Sequence, residues 1–294
     1  MKLIDGKLIA AKIKHEMAEE VVKILDAGGE APHLAAILVG EDAASQSYVR
    51  GKEKACHEIG FTSSVYRYPS SISEKKLLEA VDFLNADDQV NGFIVQLPLP
   101  AHISAAKIIE RINPLKDVDG FHPLNIGKMV LHLPTYLPAT PYGIIQLLER
   151  SGIETEGKHC VILGRSNIVG TPLSLLLSRK ANPGNCTVTM CHSKSKNIKE
   201  IAAEADILIA AIGQQGFVTK DMVKEGAVVI DVGIHRIVSA SSPTGFRMVG
   251  DVDFDNVAPK CSYITPVPGG VGPMTIVALL QNTLKAYRGE FLPK

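Results

Sequence analysis

Between Ala44 and Ile59 a lysine stands where a lysine is hard to explain. At about 100° per residue, Ser45, Tyr48, Lys52, Ala55, Cys56 and Ile59 share one arc of a helix, while Arg50, Glu53, Lys54, His57 and Glu58 fall on the other side. Lys52 thus projects from the face that should be covered. One reading is a side chain that buries its stem at the edge of a core and keeps its head in water. The other is a lysine in a cleft, where partial desolvation lowers its pKa and frees it for proton transfer. Tyr48-x-x-x-Lys52 also has the spacing of the short-chain dehydrogenase pair. In that family the nucleotide-binding turn precedes the pair, whereas here the only such turn lies more than a hundred residues later, so chain order argues against it.

That turn is Cys160 to Ser178, CVILGRSNIVGTPLSLLLS, which reads strand, tight turn, helix. Gly164 ends the strand and Gly170 stands at the junction with the helix, where absent side chains let backbone approach closely and helix amides face a phosphate. It is not the GxGxxG fingerprint, and a plain turn with packing glycines fits the spacing as well. The end of the next strand is more telling. A site for NAD places Asp or Glu there to bind ribose hydroxyls, but this chain runs Met190-Cys191-His192-Ser193-Lys194-Ser195-Lys196, with donors and cations and no acid. Arg165 adds a guanidinium suited to a phosphate, which favours NADP over NAD.

The elements that must carry these residues follow from hydrophobic period. His33 to Val39, Ser63 to Tyr68 and Val90 to Leu97 read as strands, with helical spacing up to Gly60 and from Ser73 to Asn85. This is βαβαβ patterning. Asn113 to Tyr142 is rich in Pro, Gly, His and Asp, too polar and interrupted for a regular element, and long enough to be a functional connection. A helix opened by Thr140-Pro141 leads into a second series, with strands Lys158 to Leu163, Thr187 to Cys191, Ile207 to Ile212 and Val228 to Val232. Continuous apolar strands between helices imply a parallel sheet covered on both faces, a doubly wound α/β domain. A loop rich in Gly and Pro, Thr265 to Pro273, and a closing helix, Met274 to Tyr287, end the pattern.

Composition bounds the function. The 294 residues suggest two domains, and 31 cations against 31 anions give no global field for nucleic acid or an anionic membrane. With 5% aromatic residues and no Trp, stacking platforms for single strands are disfavoured too. The charged amino terminus lacks the apolar core of a signal peptide, and no apolar run reaches the ~18 residues of a membrane span. These features point to a cytoplasmic protein. Five cysteines, Cys56, Cys160, Cys186, Cys191 and Cys261, have no CxxC spacing and read as reduced structural thiols, with no metal site.

Taken together, VGEDAASQSYVRGKEKAC (Val39 to Cys56), GFIVQLPLP (Gly92 to Pro100), KDVDGFHPLNIGK (Lys116 to Lys128), ATPYG (Ala139 to Gly143), VILGRSNIVGTP (Val161 to Pro172), VIDVGI (Val229 to Ile234), GDVDF (Gly250 to Phe254) and TPVPGGVGPMT (Thr265 to Thr275) closely resemble the bifunctional methylenetetrahydrofolate dehydrogenase/methenyltetrahydrofolate cyclohydrolase family. The match runs essentially end to end. The resemblance implies a folate-binding catalytic domain over 1–139 and 272–294, with the closing helix returning to it. It also implies a Rossmann-like NADP domain over 140–271, a cleft between the two, and a homodimer. It carries the catalytic lysine onto Lys52, with Tyr48, Gln96 and Asp119 beside it, and the folate site onto these four with Leu97 and Pro268, Gly269 and Gly270. The NADP contacts fall on Gly164, Arg165, Ser166, Ser193 and Ile234. Ala139 departs from the Cys that many relatives carry before Thr-Pro, and a small residue remains small there. A two-domain NADP dehydrogenase of shikimate-dehydrogenase type, and a non-catalytic folate or nucleotide sensor, are the alternatives of similar architecture.

Overall fold

Two parallel sheets, of three and six strands, organise the chain, as seen in a computed structural model that describes residues 1–239 and 245–292. The chain opens with β1 (Lys2–Leu3) and α1 (Gly6–Asp26), then runs β2 (His33–Val39), α2 (Ala43–Glu58), β3 (Thr62–Tyr68), α3 (Glu74–Ala86), β4 (Gly92–Val95), α4 (Ala105–Arg111) and α5 (Pro123–Val130). It continues with α6 (Ala139–Arg150), β5 (His159–Leu163), α7 (Gly170–Ser178), β6 (Thr187–Cys191), α8 (Ile198–Ala203), β7 (Ile207–Ala210) and β8 (Val228–Asp231). A hairpin of β9 (His235–Val238) and β10 (Phe246–Val249), α9 (Phe254–Val257), β11 (Tyr263–Ile264) and α10 (Val271–Tyr287) complete it.

The three-stranded unit comprises residues 12–139 and the chain from Ile276 onward. Its strand order is β3-β2-β4, all parallel, so β2 pairs on both sides and the chain reverses direction around it. Ala35, Ile37 and Val39 of β2 share one core with Leu77, Val81 and Leu84 of α3 and Phe93 and Val95 of β4. The alternate residues Leu34, Ala36, Leu38 and Ile94 are buried as well, and α2 packs along β2 and β3. Burial on both faces explains why these strands read as unbroken apolar runs. Asp42 caps α2 by accepting from Ser45 N at 2.7 Å, and Ser73 caps α3 through Lys76 N.

One expectation is corrected here. The connection from Asn113 to Tyr142 holds a regular element after all, because His122 caps α5 through its ring nitrogen, Pro123 takes the first turn, and Asn125 and Met129 supply a buried face. Local composition hid it, since the buried face includes an asparagine rather than a second apolar residue.

The six-stranded unit comprises residues 1–11 and 140–275. Its order is β1-β11-β8-β7-β5-β6, parallel throughout. From β5 the chain moves outward to β6 and then returns past β5 to β7, the reversal that defines a doubly wound sheet. Val161, Leu163, Leu208, Ala210 and Val229 bury one face against Ala202 of α8, and Cys160, Ile162, Ile209 and Ile230 are buried on the other. Residues 1–11 and 272–275 pack in this compact unit, where β1 adds to the sheet edge by pairing with β11. A two-residue strand has no period to read. Among the described residues no helix is long and apolar enough to cross a membrane.

Gly120 shows how tightly the three-stranded unit is closed around Asp119. Its φ is +75°, and a Cβ there would stand 2.7 Å from the carbonyl carbon of Leu137 and the nitrogen of Pro138. Gly120→Ala therefore combines a left-handed backbone penalty of about 1–2 kcal/mol with overpacking of about 1–3 kcal/mol. The expected loss is roughly 2–5 kcal/mol of unfolding free energy, read from a urea titration.

Candidate active site

The buried line of α2 is Ser45, Val49, Lys52 and Cys56, spaced i, i+4, i+7 and i+11. Lys52 lies at its centre, only 9% exposed, whereas Tyr48 is 36% exposed and stands at the edge of the covered face rather than within it. Lys52 Nζ donates to Gln96 Oε1 at 3.2 Å. Gln96 follows the last residue of β4, and its own backbone N–H donates to Ile37 O, so the sheet itself fixes where its side chain starts. The amide is oriented by its other end, because Nε2 donates to Leu97 O at 2.6 Å and leaves Oε1 as the acceptor for the lysine. Both residues thus meet at the carboxyl edge of the sheet, beside the strand around which the chain reverses, where open α/β sheets place their ligands.

Asp119 reaches the same place by another route. Asp117 forms a single parallel bridge with Phe93, which carries the chain alongside β4. The Asp117 carboxylate then shapes the turn beyond, accepting from Phe121 N at 3.3 Å, His122 N at 2.7 Å and Asn125 Nδ2 at 2.8 Å. Asn125 is held in turn by Thr135 Oγ1, and Asn282 Nδ2 donates to Val118 O and Leu137 O on either side of the turn. Burial pushes the Lys52 ammonium below the ordinary lysine range, opposed by the Asp119 charge. Burial pushes the Asp119 carboxyl up, opposed by Lys52 and reinforced by Asp117. Each charge thus partly offsets the other's desolvation in a poorly solvated site.

This arrangement can hold a proton on nitrogen and give it up. An ammonium has three N–H donors, and Gln96 engages one. The thiol of Cys56 is pushed up to about 12 by burial and stays neutral. Burial also raises the Tyr48 phenol, the opposite of what a short-chain dehydrogenase pair would need.

The second cluster lies in the six-stranded unit. Gly164 has φ +123°, and a Cβ on it would overlap Ala211 O, while one on Gly170 would overlap Gly164 O. Both glycines are therefore required for the first strand-to-helix turn to close. Ser166 Oγ accepts from Val169 N at 3.1 Å, and no side chain caps the first turn of α7. Arg165 is exposed and makes no ion pair among the described residues. At the end of β6, His192 N donates to Ser195 Oγ and Lys194 N to His192 Nδ1, shaping the loop that presents the exposed Ser193. Ile234, 42% exposed, follows β8. Glycines at the close approach, an uncapped helix start, a free guanidinium and a strand end without acid fit a nicotinamide dinucleotide bearing an extra phosphate.

Pro268, Gly269 and Gly270 belong to this unit as well. Lys7 N donates to Gly269 O at 3.0 Å, and Gly6 has no side chain because Gly270 O occupies the space a Cβ would take. The residues expected to bind folate are thus divided: Tyr48, Lys52, Gln96, Leu97 and Asp119 lie in the three-stranded unit and Pro268 to Gly270 in the six-stranded one. Sequence reasoning quoted Asp117 within its motif without giving it a role. The only available signal was the alternation Asp117-Val118-Asp119.

Both halves of the chain match known proteins. A family model for the tetrahydrofolate dehydrogenase/cyclohydrolase catalytic domain matches residues 4–119, and one for the NAD(P)-binding domain of the same enzymes matches residues 138–291. The bifunctional protein FolD of Cytophaga hutchinsonii is 61% identical over 286 residues, covering 97% of this chain and 99% of the relative. The crystal structure of the bifunctional FolD enzyme of Campylobacter jejuni is 48% identical and superposes with a TM-score of 0.92 over 99% of this chain and 100% of that one. The FolD of Trypanosoma brucei, solved in complex with NADP cofactor and an inhibitor, is 38% identical, with a TM-score of 0.92 over 99% of this chain and 98% of that one. With both domains matched in order and identity sustained across nearly the whole length, the chain belongs to the tetrahydrofolate dehydrogenase/cyclohydrolase family.

Proposed function

We infer that this chain carries both activities of its family, with Lys52, Gln96 and Asp119 as the centre of the folate chemistry. It is a bifunctional enzyme of one-carbon metabolism. It oxidises 5,10-methylenetetrahydrofolate to 5,10-methenyltetrahydrofolate with NADP, then hydrolyses the product to 10-formyltetrahydrofolate. The observation that carries the assignment of residues is the desolvated Lys52 held by the Gln96 amide oxygen.

The two steps ask different things of the protein. In the methylene substrate the carbon between N5 and N10 loses hydride directly, because both nitrogens stabilise the amidinium-like cation that results. No hydroxyl proton has to be removed, so the step depends mainly on orientation. Bound NADP supplies the hydride acceptor. Arg165, Ser166 and Ser193 hold its phosphates and ribose, with Gly164 allowing the approach and Ile234 lining the site.

Hydrolysis does need protons moved. Water adds to the methenyl carbon and both its protons leave the oxygen, one passing to N5 as the bond from that carbon to N5 breaks and one being released to solvent. Lys52, oriented by Gln96 and flanked by Tyr48, handles these transfers. Asp119, whose carboxyl burial pushes up and the Lys52 charge pulls back down, faces the donor edge of the pterin and accepts paired hydrogen bonds from it in its charged form. The family resemblance further assigns folate contacts to Leu97 and to Pro268, Gly269 and Gly270. Folate catalysis is assigned to the chain over 1–139 and 272–294 and NADP binding to 140–271, functional spans whose ends at residues 1–11 and 272–275 pack in the six-stranded unit, and the enzyme is assigned to the cytoplasm.

A homodimer is the proposed assembly. The β9–β10 hairpin pairs only within itself among the described residues and leaves Val238 82% exposed, a surface that a second copy can cover. Light scattering should give twice the 31.6 kDa chain mass, and a monomer at micromolar concentration would refute the assignment.

For the chemistry, the purified protein should convert methylenetetrahydrofolate to the 10-formyl product with NADP in a coupled absorbance assay. Lys52→Met should lower cyclohydrolase turnover by about 10²–10⁴-fold, the usual worth of a positioned proton-transfer group, and spare more of the dehydrogenase. Equal retention of both activities would remove Lys52 from the mechanism. Arg165→Ala should weaken NADP by about tenfold, the loss of one charge-assisted contact, and leave NAD nearly unchanged. An unaltered preference between the two cofactors would count against the phosphate role.

A further inference from the structure

Two buried aspartates and a histidine lie at the carboxyl edge of the six-stranded sheet, outside every role given so far. Asp251 is fully buried and Asp231 is 3% exposed. Asp231 Oδ1 accepts from Gly233 N and Asp251 N, both at 2.9 Å, and Oδ2 accepts from Val252 N at 3.0 Å. Asp251 Oδ2 accepts from Ile212 N and Gly213 N, both at 2.8 Å, and Oδ1 lies 2.7 Å from His235 Nε2. A carboxylate can only accept, so the ring carries its proton on Nε2 and donates. Gly233 and Gly250 are bare for the same reason: a Cβ on Gly233 would overlap Asp251 Oδ1, and one on Gly250 would overlap Asp231 Oδ2.

These bonds tie three segments together. Residues 211–213 follow β7, residues 232–235 follow β8, and residues 250–252 follow β10. The first two leave the strand ends at the edge where a doubly wound sheet binds its dinucleotide. Ile234 stands between Gly233, whose amide Asp231 holds, and His235, whose ring Asp251 holds. Such a cluster could serve only to hold the domain together. Its outer member argues otherwise, because the His235 side chain is 24% exposed and adjoins an isoleucine that is itself exposed. Loss of the ring bond would release a surface loop before it disturbed the core.

We propose that His235, locked by Asp251, is a positioning residue for NADP: it fixes the backbone that presents Ile234 to the cofactor. This rests on the reading of Ile234 as part of the NADP site. The second activity supplies an internal control, since methenyltetrahydrofolate hydrolysis uses no nicotinamide.

The test compares His235→Leu with His235→Gln, whose amide N–H can replace the Nε2 donor. NADP dissociation constants are measured calorimetrically without folate, beside KM for NADP, cyclohydrolase rate and thermal midpoint. The leucine variant should weaken NADP about tenfold, the worth of one hydrogen bond to a charged group, and raise KM for NADP with kcat little changed. Glutamine should restore most of the affinity. A leucine variant that binds NADP as the wild type does would overturn the positioning role. So would a parallel fall in cyclohydrolase rate and thermal midpoint, or glutamine behaving like leucine. A wild-type protein that hydrolyses methenyltetrahydrofolate yet does not bind NADP would instead defeat the cofactor reading, and this inference with it.

Discussion

A lysine ammonium kept out of water is the constraint around which the three-stranded unit is organised. Removing a charge from solvent costs several kcal/mol unless the new surroundings replace its hydration. Lys52 receives two replacements, the Gln96 amide oxygen at 3.2 Å and the Asp119 charge. Each has to be delivered to one point from a different part of the chain. The sheet delivers Gln96, since the residue after β4 cannot move without breaking its backbone bond to Ile37. Asp117 delivers Asp119, by spending its own carboxylate on the amides of Phe121 and His122 and the Asn125 side chain. Asn282, on the last helix, braces the turn from the far end of the sequence.

The six-stranded unit solves a related problem with backbone instead of side chains. Its ligand edge is built where strands end, so each loop leaves amides that need acceptors. Asp231 and Asp251 supply those acceptors for five amides, with the burial of Asp231 raising its pKa to about 6 despite three hydrogen bonds that favour the charged form. The glycines follow as a consequence. Gly164 and Gly170 allow the turn to close against Ala211 and Gly164 itself, and Gly233 and Gly250 leave room for the carboxylates. Single glycine substitutions here would collide with backbone or with a buried charge, neither of which can move aside.

What could be read from sequence was whatever repeats with a short period. The apolar runs of β2, β5, β7 and β8 and the position of Lys52 on the buried side of α2 follow from periods of two and 3.6, and all are present. Tyr48 shows the limit of that argument, since an arc of about 100° includes its own rim. The helix α5 was hidden because its inward face is partly polar. The pairing of β1 with β11 joins residues more than 250 apart, and the Asp231–Asp251 contact joins a carboxylate to a backbone amide 20 residues away, so neither leaves a local pattern. Both aspartates stand within motifs that mark the family. Their purpose becomes visible only when each oxygen is matched to the amides it serves.

The desolvation of Lys52 also bears on the first reaction, although that step moves no proton. Oxidation of the methylene substrate creates a cation, and a nearby ammonium that keeps its proton would oppose its formation by like-charge repulsion, the more so where water does not screen it. Burial weakens the lysine's hold on its proton, and Asp119 contributes a compensating negative charge. With the roles proposed for Lys52 and Asp119, one environment would lower the cost of forming the methenyl cation and leave the amine able to exchange a proton when water attacks it. Substituting an apolar residue for Lys52 would remove the second property while preserving, or improving, the first. Removing Asp119 would harm both, because the cation and the lysine would each lose the charge that offsets their burial.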